Sequence, residues 1–142
     1  MCVNWQNEYI NSERFVLEEK YWSEYFEEPL TEKEFPLDKK RESKQSFDGS
    51  RFSVVVDENV FNKIVELSKK NEVTNYMILM SAYSILVSKY TGSNEVILGS
   101  TIVGRSMYDF MDIMGLFVNT VVFRNKIYDD MSFHDVLMNV KR

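Results

Sequence analysis

The spacing of apolar and polar positions along this chain changes character four times, and each change predicts a different element. Residues 1–28 set Trp5, Tyr9, Phe15, Tyr21, Trp22, Tyr25 and Phe26 among Glu and Lys, which predicts helices in pieces with an aromatic stripe packed on a core. Pro29 and Pro36 bracket a polar stretch, and residues 38–50 are charged and close on a Gly49 turn, so this part predicts an extended linker. Residues 52–56, Phe-Ser-Val-Val-Val, are β-branched and alternating, which predicts a strand.

Asp57 is placed to cap a helix, because its carboxylate can accept from the exposed amides of a first turn. That helix would turn Val60, Phe61, Ile64, Val65 and Leu67 inward and leave Lys63, Glu66, Lys69 and Lys70 in solvent. Thr74 caps a second helix, with Val73 stapled against Ile78 across the cap and Gly92 as its C-terminal stop. Met77 to Val87 leave almost no polar face except serines, which predicts a core helix buried on several sides. Residues 95–98 and 101–103 then read as strands interrupted by Gly99-Ser100, and Gly104-Arg105-Ser106 breaks the run. A short helix over 107–114, a strand over 116–123 after Gly115, and a last helix from Ser132 complete the pattern. Ser132 and Asp135 have the spacing of a capping box. There is no internal repeat. The order predicts an α/β chain, an α+β two-layer sandwich with helices on one face of a mixed sheet. Its organisation reads as an N-terminal helical segment and linker over 1–50, followed by a sheet-bearing part over 51–142.

Composition narrows the function. With 142 residues, 44% hydrophobic and 27% charged, the chain has globular proportions and is large enough for one core. Residues 1–50 hold 12 acids and 7 bases, a net of −5, and the remainder is balanced at 10 of each. Neither part offers the basic footprint that neutralises a phosphate backbone, so nucleic acid is not an expected partner. A single cysteine, Cys2, fits a reducing compartment, and a single histidine, His134, excludes a site with two His ligands. The uncharged run over 75–88 is too short for a bilayer and nothing resembles a signal peptide, so a cytoplasmic protein is expected.

Candidate chemistry is sparse. Gly99 to Ser106 has the glycine spacing of a phosphate-binding loop, but Arg105 stands where that loop needs Lys and Thr101-Ile102-Val103 are strand formers. His134 in a helix first turn reads as a surface residue, and a Cys2–His134 nucleophile pair has no support in the spacing. Glu18-Glu19 and Glu27-Glu28 read as solvated carboxylates. What stands out is Gly115-Leu116-Phe117-Val118-Asn119-Thr120, where an apolar strand carries polar side chains that need a partner or a ligand.

Gly99-Ser100 through Gly104-Arg105, followed by Met114-Gly115-Leu116-Phe117-Val118-Asn119-Thr120, resembles the condensation domains of nonribosomal peptide synthetases. Their late motif runs Ile or Val, Gly, any residue, Phe-Val-Asn-Thr, apolar residues, then Arg; here Arg124 ends it and Met114 replaces the branched residue. Trp5-Gln6 is similar to the tail of the family's Tyr-x-Asp-Tyr-x-x-Trp motif, and Tyr21-Trp22 to its following Tyr-Trp. Phe35-Pro36-Leu37-Asp38, Gln45-Ser46-Phe47-Asp48-Gly49 and Tyr90-Thr91-Gly92 match later segments in order.

The resemblance implies one of two chloramphenicol-acetyltransferase-like halves that form a V around a tunnel. Carrier proteins insert phosphopantetheine arms there, and an acceptor amine attacks a donor thioester. The family's His-His-x-x-x-Asp-Gly motif cannot occur in a chain with one histidine. The resemblance therefore implies a piece that starts at the crossover into the second subdomain, ends inside it, and does not catalyse alone. It binds no cofactor directly and no metal, and its partners are carrier proteins and the missing N-terminal subdomain. Within it, Arg105, Phe117 and Asn119 would be the substrate-binding residues: Asn119 would face the tunnel, Phe117 on the same strand face would line it or pack beneath it, and Arg105 would orient the loop before that strand or make a structural salt bridge. Gly104 and Gly115 would permit backbone turns, and Thr120 completes the motif. Epimerisation domains share much of this pattern. A stand-alone module that binds a carrier protein, or its own copy through an exposed apolar seam, is the reading from another class, and it predicts an oligomer.

Overall fold

A computed structural model describes residues 2–29, 34–40, 42–44, 46–105 and 111–141, with Cys2 described by its backbone. The described elements are α1 (Cys2–Ile10), α2 (Glu13–Tyr25), α3 (Glu58–Asn71), α4 (Asn75–Thr91), β1 (Glu95–Ile102), β2 (Asn119–Lys126) and α5 (Phe133–Lys141). They fall into two compact units. One draws on Met1–Glu32 and Gly99–Val122, the other on Lys33–Leu98 and Phe123–Arg142.

The helix boundaries follow from side chains that satisfy orphaned amides. The Ser12 hydroxyl accepts from the Phe15 amide at 3.3 Å to open α2. The Asp57 carboxylate accepts from Asn59 N–H at 2.8 Å to open α3, and Thr74 Oγ1 accepts from Met77 N–H at 3.2 Å to open α4. Gly92 ends α4 in the left-handed region at φ 62°, as its lack of a Cβ allows. The α5 capping box is formed in both directions: Asp135 N–H donates to the Ser132 hydroxyl at 3.2 Å, and Ser132 N–H donates to Asp135 Oδ2 at 2.9 Å.

β1 and β2 form a two-stranded antiparallel sheet. In the second unit the core gathers Val96, Ile127 and Val136, with Ile85, Val87, Leu98 and Met131 packed around them. Val96 and Leu98 share one face of β1, and residues of α4 and α5 pack against that face, the helix-on-sheet layering expected from the pattern. α4 packs against α3 and α5. Its fully buried Ser81 and Ser84 are satisfied there: Ser81 donates to the Met77 carbonyl at 2.7 Å, and Ser84 accepts from Asn125 Nδ2 at 3.2 Å. The stretch read as a linker is anchored at Phe35, whose ring stacks on Tyr90 at 5.9 Å.

Four expectations are corrected. Residues 52–56 form no strand, and Val55 is 94% exposed, because β-propensity makes a strand only where a neighbouring edge supplies the ladder. β1 runs unbroken through Gly99-Ser100, since Gly99 sits opposite Thr120 with room for ordinary contact. β2 spans Asn119–Lys126, not 116–123, so Phe117 precedes the strand. α4 is not covered nearly all round but keeps one face open, with Leu79, Tyr83 and Leu86 about half exposed. Of the helix expected over 107–114, residues 107–110 lie outside the described residues, as does Ser106, and residues 111–112 form a turn. No described helix is long and apolar enough to cross a membrane.

Candidate functional site

In the first unit, the corner between α1 and α2 is built from one carboxylate. Glu18 accepts from the Tyr9 hydroxyl and, at 2.9 Å, from Arg14 Nε. The Tyr9 hydrogen bond, then that of Arg14, holds the Glu18 carboxyl below the usual range, and donation to Glu18 raises the Tyr9 phenol. Trp5 stacks nearly parallel on Tyr9 at 5.3 Å, and Phe15 meets the Tyr9 ring edge-on at 5.8 Å.

Between β1 and β2 the chain is held by two consecutive residues. A Cβ at Gly104, where φ is +66°, would stand 1.9 Å from the Phe117 carbonyl oxygen. Arg105 lays its guanidinium over the Phe117 ring, 4.2 Å from the centroid. It also donates from Nη1 to the Ile113 carbonyl at 2.9 Å and from Nη2 to the Gly115 carbonyl at 3.5 Å. Gly115 is near-extended, and a Cβ there would meet the Phe117 ring at 3.2 Å.

These two groups face one open cavity of about 620 Å³. Trp5, Gln6, Tyr9, Ile10 and Arg14 line it from α1 and the start of α2. Ile102, Gly104 and residues 116–119 line it from the strand ends. Of the residues singled out from the sequence, Gly104, Phe117 and Asn119 line the cavity. Arg105 and Gly115 stand behind its wall, and Thr120 packs opposite Gly99. Asn119 Oδ1 accepts from the Thr120 amide at 2.8 Å, while among the described residues its Nδ2 group has no hydrogen-bond partner. The cavity is mostly apolar, with amide donors and one arginine at its rim. The Nε of that arginine is already engaged by Glu18.

A family model for the condensation domain matches residues 2–142. The chain belongs to the condensation-domain family. It is 36% identical over 138 residues to gramicidin S synthase 2 of Brevibacillus brevis, covering 97% of this chain and 3% of that protein. It is 34% identical over 139 residues to bacitracin synthase 1 of Bacillus licheniformis, covering 98% of this chain and 3% of that one. The structure is similar to the first condensation domain of the calcium-dependent antibiotic synthetase, with a TM-score of 0.78 at 16% identity, covering 99% of this chain and 30% of that chain. It is also similar to a four-domain nonribosomal peptide synthetase bound to AMP and glycine, with a TM-score of 0.69 at 26% identity, over 75% of this chain and 8% of that chain. The chain thus spans a small part of these synthases and under a third of the solved condensation domain.

Two features of this condensation-domain piece escaped sequence reasoning. Arg124, noted as the end of a motif, makes a buried ion pair with Glu95 at 2.5 Å, the two side chains 7% and 11% exposed. Only strand register brings together residues so far apart in sequence. The Tyr9–Glu18 hydrogen bond likewise depends on the turn between two helices and leaves no spacing signature, unlike the i,i+4 pair of Arg14 and Glu18 within α2. Elsewhere, Gly99 to Ile102 lie in β1 and make no phosphate-binding loop, and His134 is exposed in α5. The side chain of Cys2 lies outside the described residues. Among the described residues no cluster of His, Cys, Asp and Glu could hold a metal ion.

Proposed function

We propose that this chain is one part of a condensation domain of a nonribosomal peptide synthetase and lines the site where carrier-bound thioesters are joined. In that reaction the acceptor amine attacks the donor thioester carbonyl, the C–N bond forms, the C–S bond breaks, and the phosphopantetheine thiol leaves. The observation that carries the reading is that Phe117 and Asn119 of the Phe-Val-Asn-Thr motif share one cavity with Trp5 and Tyr9. Asn119, with an open Nδ2 donor, would hydrogen-bond the reacting carbonyl as charge develops on its oxygen.

The base for the amine proton would come from a His-His-x-x-x-Asp-Gly segment outside these 142 residues, because the one histidine here is His134. The phosphopantetheine arms would enter on carrier proteins, so this part itself needs no resident cofactor. The half-exposed stripe Leu79, Tyr83 and Leu86 of α4 would be covered by the remainder of the condensation domain, which accounts for the larger share of the solved relative.

The test mixes carrier-bound donor and acceptor thioesters with this chain alone and with the chain plus a histidine-bearing N-terminal subdomain. Amide product is expected only with both parts. The Asn119→Ala variant should lower the rate about tenfold, roughly the value of one charge-assisted hydrogen bond. Product from this chain alone, or full activity with Asn119→Ala, counts against the proposal.

A further inference from the structure

We infer that Arg105 is a positioning residue, which sets the cavity wall from behind rather than touching what the cavity holds. Its side chain is anchored on one short segment, at the carbonyls of Ile113 and Gly115 and the face of the Phe117 ring. It does not line the cavity, whereas Phe117 and Asn119 do. Gly104, the residue before it, abuts the Phe117 carbonyl so closely that a Cβ has no place. Gly104 and Arg105, in the segment that follows β1, therefore hold Phe117 at two places, Gly104 at the backbone and Arg105 at the ring. Phe117 enters the cavity wall two residues before Asn119, so fixing its ring and carbonyl fixes the direction from which the chain delivers Asn119 into β2.

A guanidinium suits this task where an ammonium does not. Its planar fork can address two carbonyls while its face lies flat on an aromatic ring. A lysine could keep the ring contact or one carbonyl, but not this whole set. The functional meaning of the inference rests on the reading above, whereas the geometry it describes does not.

The experiment places 4-fluorophenylalanine at position 117 and records its fluorine resonance, with amide exchange at Val118 and Asn119. The native chain is compared with Arg105→Met and Arg105→Lys. Arg105→Met should move the resonance toward that of an exposed ring and speed exchange at both amides about tenfold or more. Arg105→Lys should retain part of the ring shift yet lose exchange protection like Arg105→Met. Native resonance and exchange in both variants would overturn the inference. If Arg105→Met fails to fold, Arg105→Lys decides alone, and native exchange there overturns it. Loss of the fold in both makes Arg105 a general stability residue and equally overturns it.

In the peptide-bond assay with the complete domain, Arg105→Met should lower kcat about tenfold with KM for the acceptor carrier unchanged, as for a displaced wall. A raised KM at constant kcat would make Arg105 a ligand contact and refute the positioning role. Absence of product from the native domain would strike the proposed function and leave the fluorine result standing.

Discussion

Gly104 shows how a single residue can carry a tertiary constraint that its neighbours conceal. An alanine there has to adopt φ +66° and put a Cβ 1.9 Å from the Phe117 carbonyl oxygen, so the loop must move. Gly104→Ala is expected to destabilise the first unit by at least about 2 kcal/mol. Trp5 and Trp22 both belong to that unit, so urea unfolding followed by tryptophan fluorescence reads it directly. Gly99→Ala is the control. Its Cβ meets the Thr120 methyl at an ordinary 3.4 Å inside a strand, so the midpoint should hardly change. The motif made all these glycines visible in the sequence, but only Gly104 combines a positive φ with a backbone clash. That distinction depends on where Phe117 lies in space.

Among the elements, the sheet and α5 depend on electrostatics of opposite kinds. Glu95 and Arg124 tie β1 to β2 as a buried pair, and removing one charge takes from the other its ion-pair partner across the sheet in a poorly solvated place. Glu95→Gln should cost about 3–5 kcal/mol in urea unfolding followed by circular dichroism, with little dependence on salt. At the start of α5, the Ser132 hydroxyl first and its N–H second hold the Asp135 carboxyl below the usual range. A depressed folded-state pKa contributes stability that is complete above the unfolded value, near 3.9, and is lost as pH falls through the folded one. The protection factors of the amides in the first turn of α5, corrected for the intrinsic exchange rate, should therefore hold at neutral pH and fall in acid as Asp135 protonates. Ser132→Ala should shift that onset upward, and a carbon-13 titration of Asp135 that did not move would refute the attribution. The capping box was legible because both partners lie within four residues. The ion pair was not, because its partners meet only across the sheet.

For the whole molecule, apolar surface is the governing fact. Leu79, Tyr83 and Leu86 on α4, together with the extended residues 52–56, present large side chains to solvent. Helix pattern and β-propensity both read these residues as interior. Exposed apolar surface of this extent favours association. The chain alone is expected to sediment above its monomer mass of 16.8 kDa at micromolar concentration, and Leu79→Glu with Leu86→Glu should return it to a monomer. A clean monomer for the native chain would show that these faces are tolerated in water. Addition of the remainder of a condensation domain should replace self-association with a defined complex.

Local sequence was enough for the helices, the caps at Asp57, Thr74 and Ser132, the stop at Gly92, and membership of the condensation-domain family. These rest on interactions within a few residues or on a motif read in order, so they need no knowledge of distant contacts. Tertiary contacts were needed to show that residues 52–56 form no strand, that β2 begins at Asn119, and that α4 keeps one face open. They alone decided that Arg105 reaches back to hold Phe117 from behind. A strand, a buried face and a cavity wall each exist only when a second segment arrives to complete them, and where that segment comes to rest is a property of the folded chain.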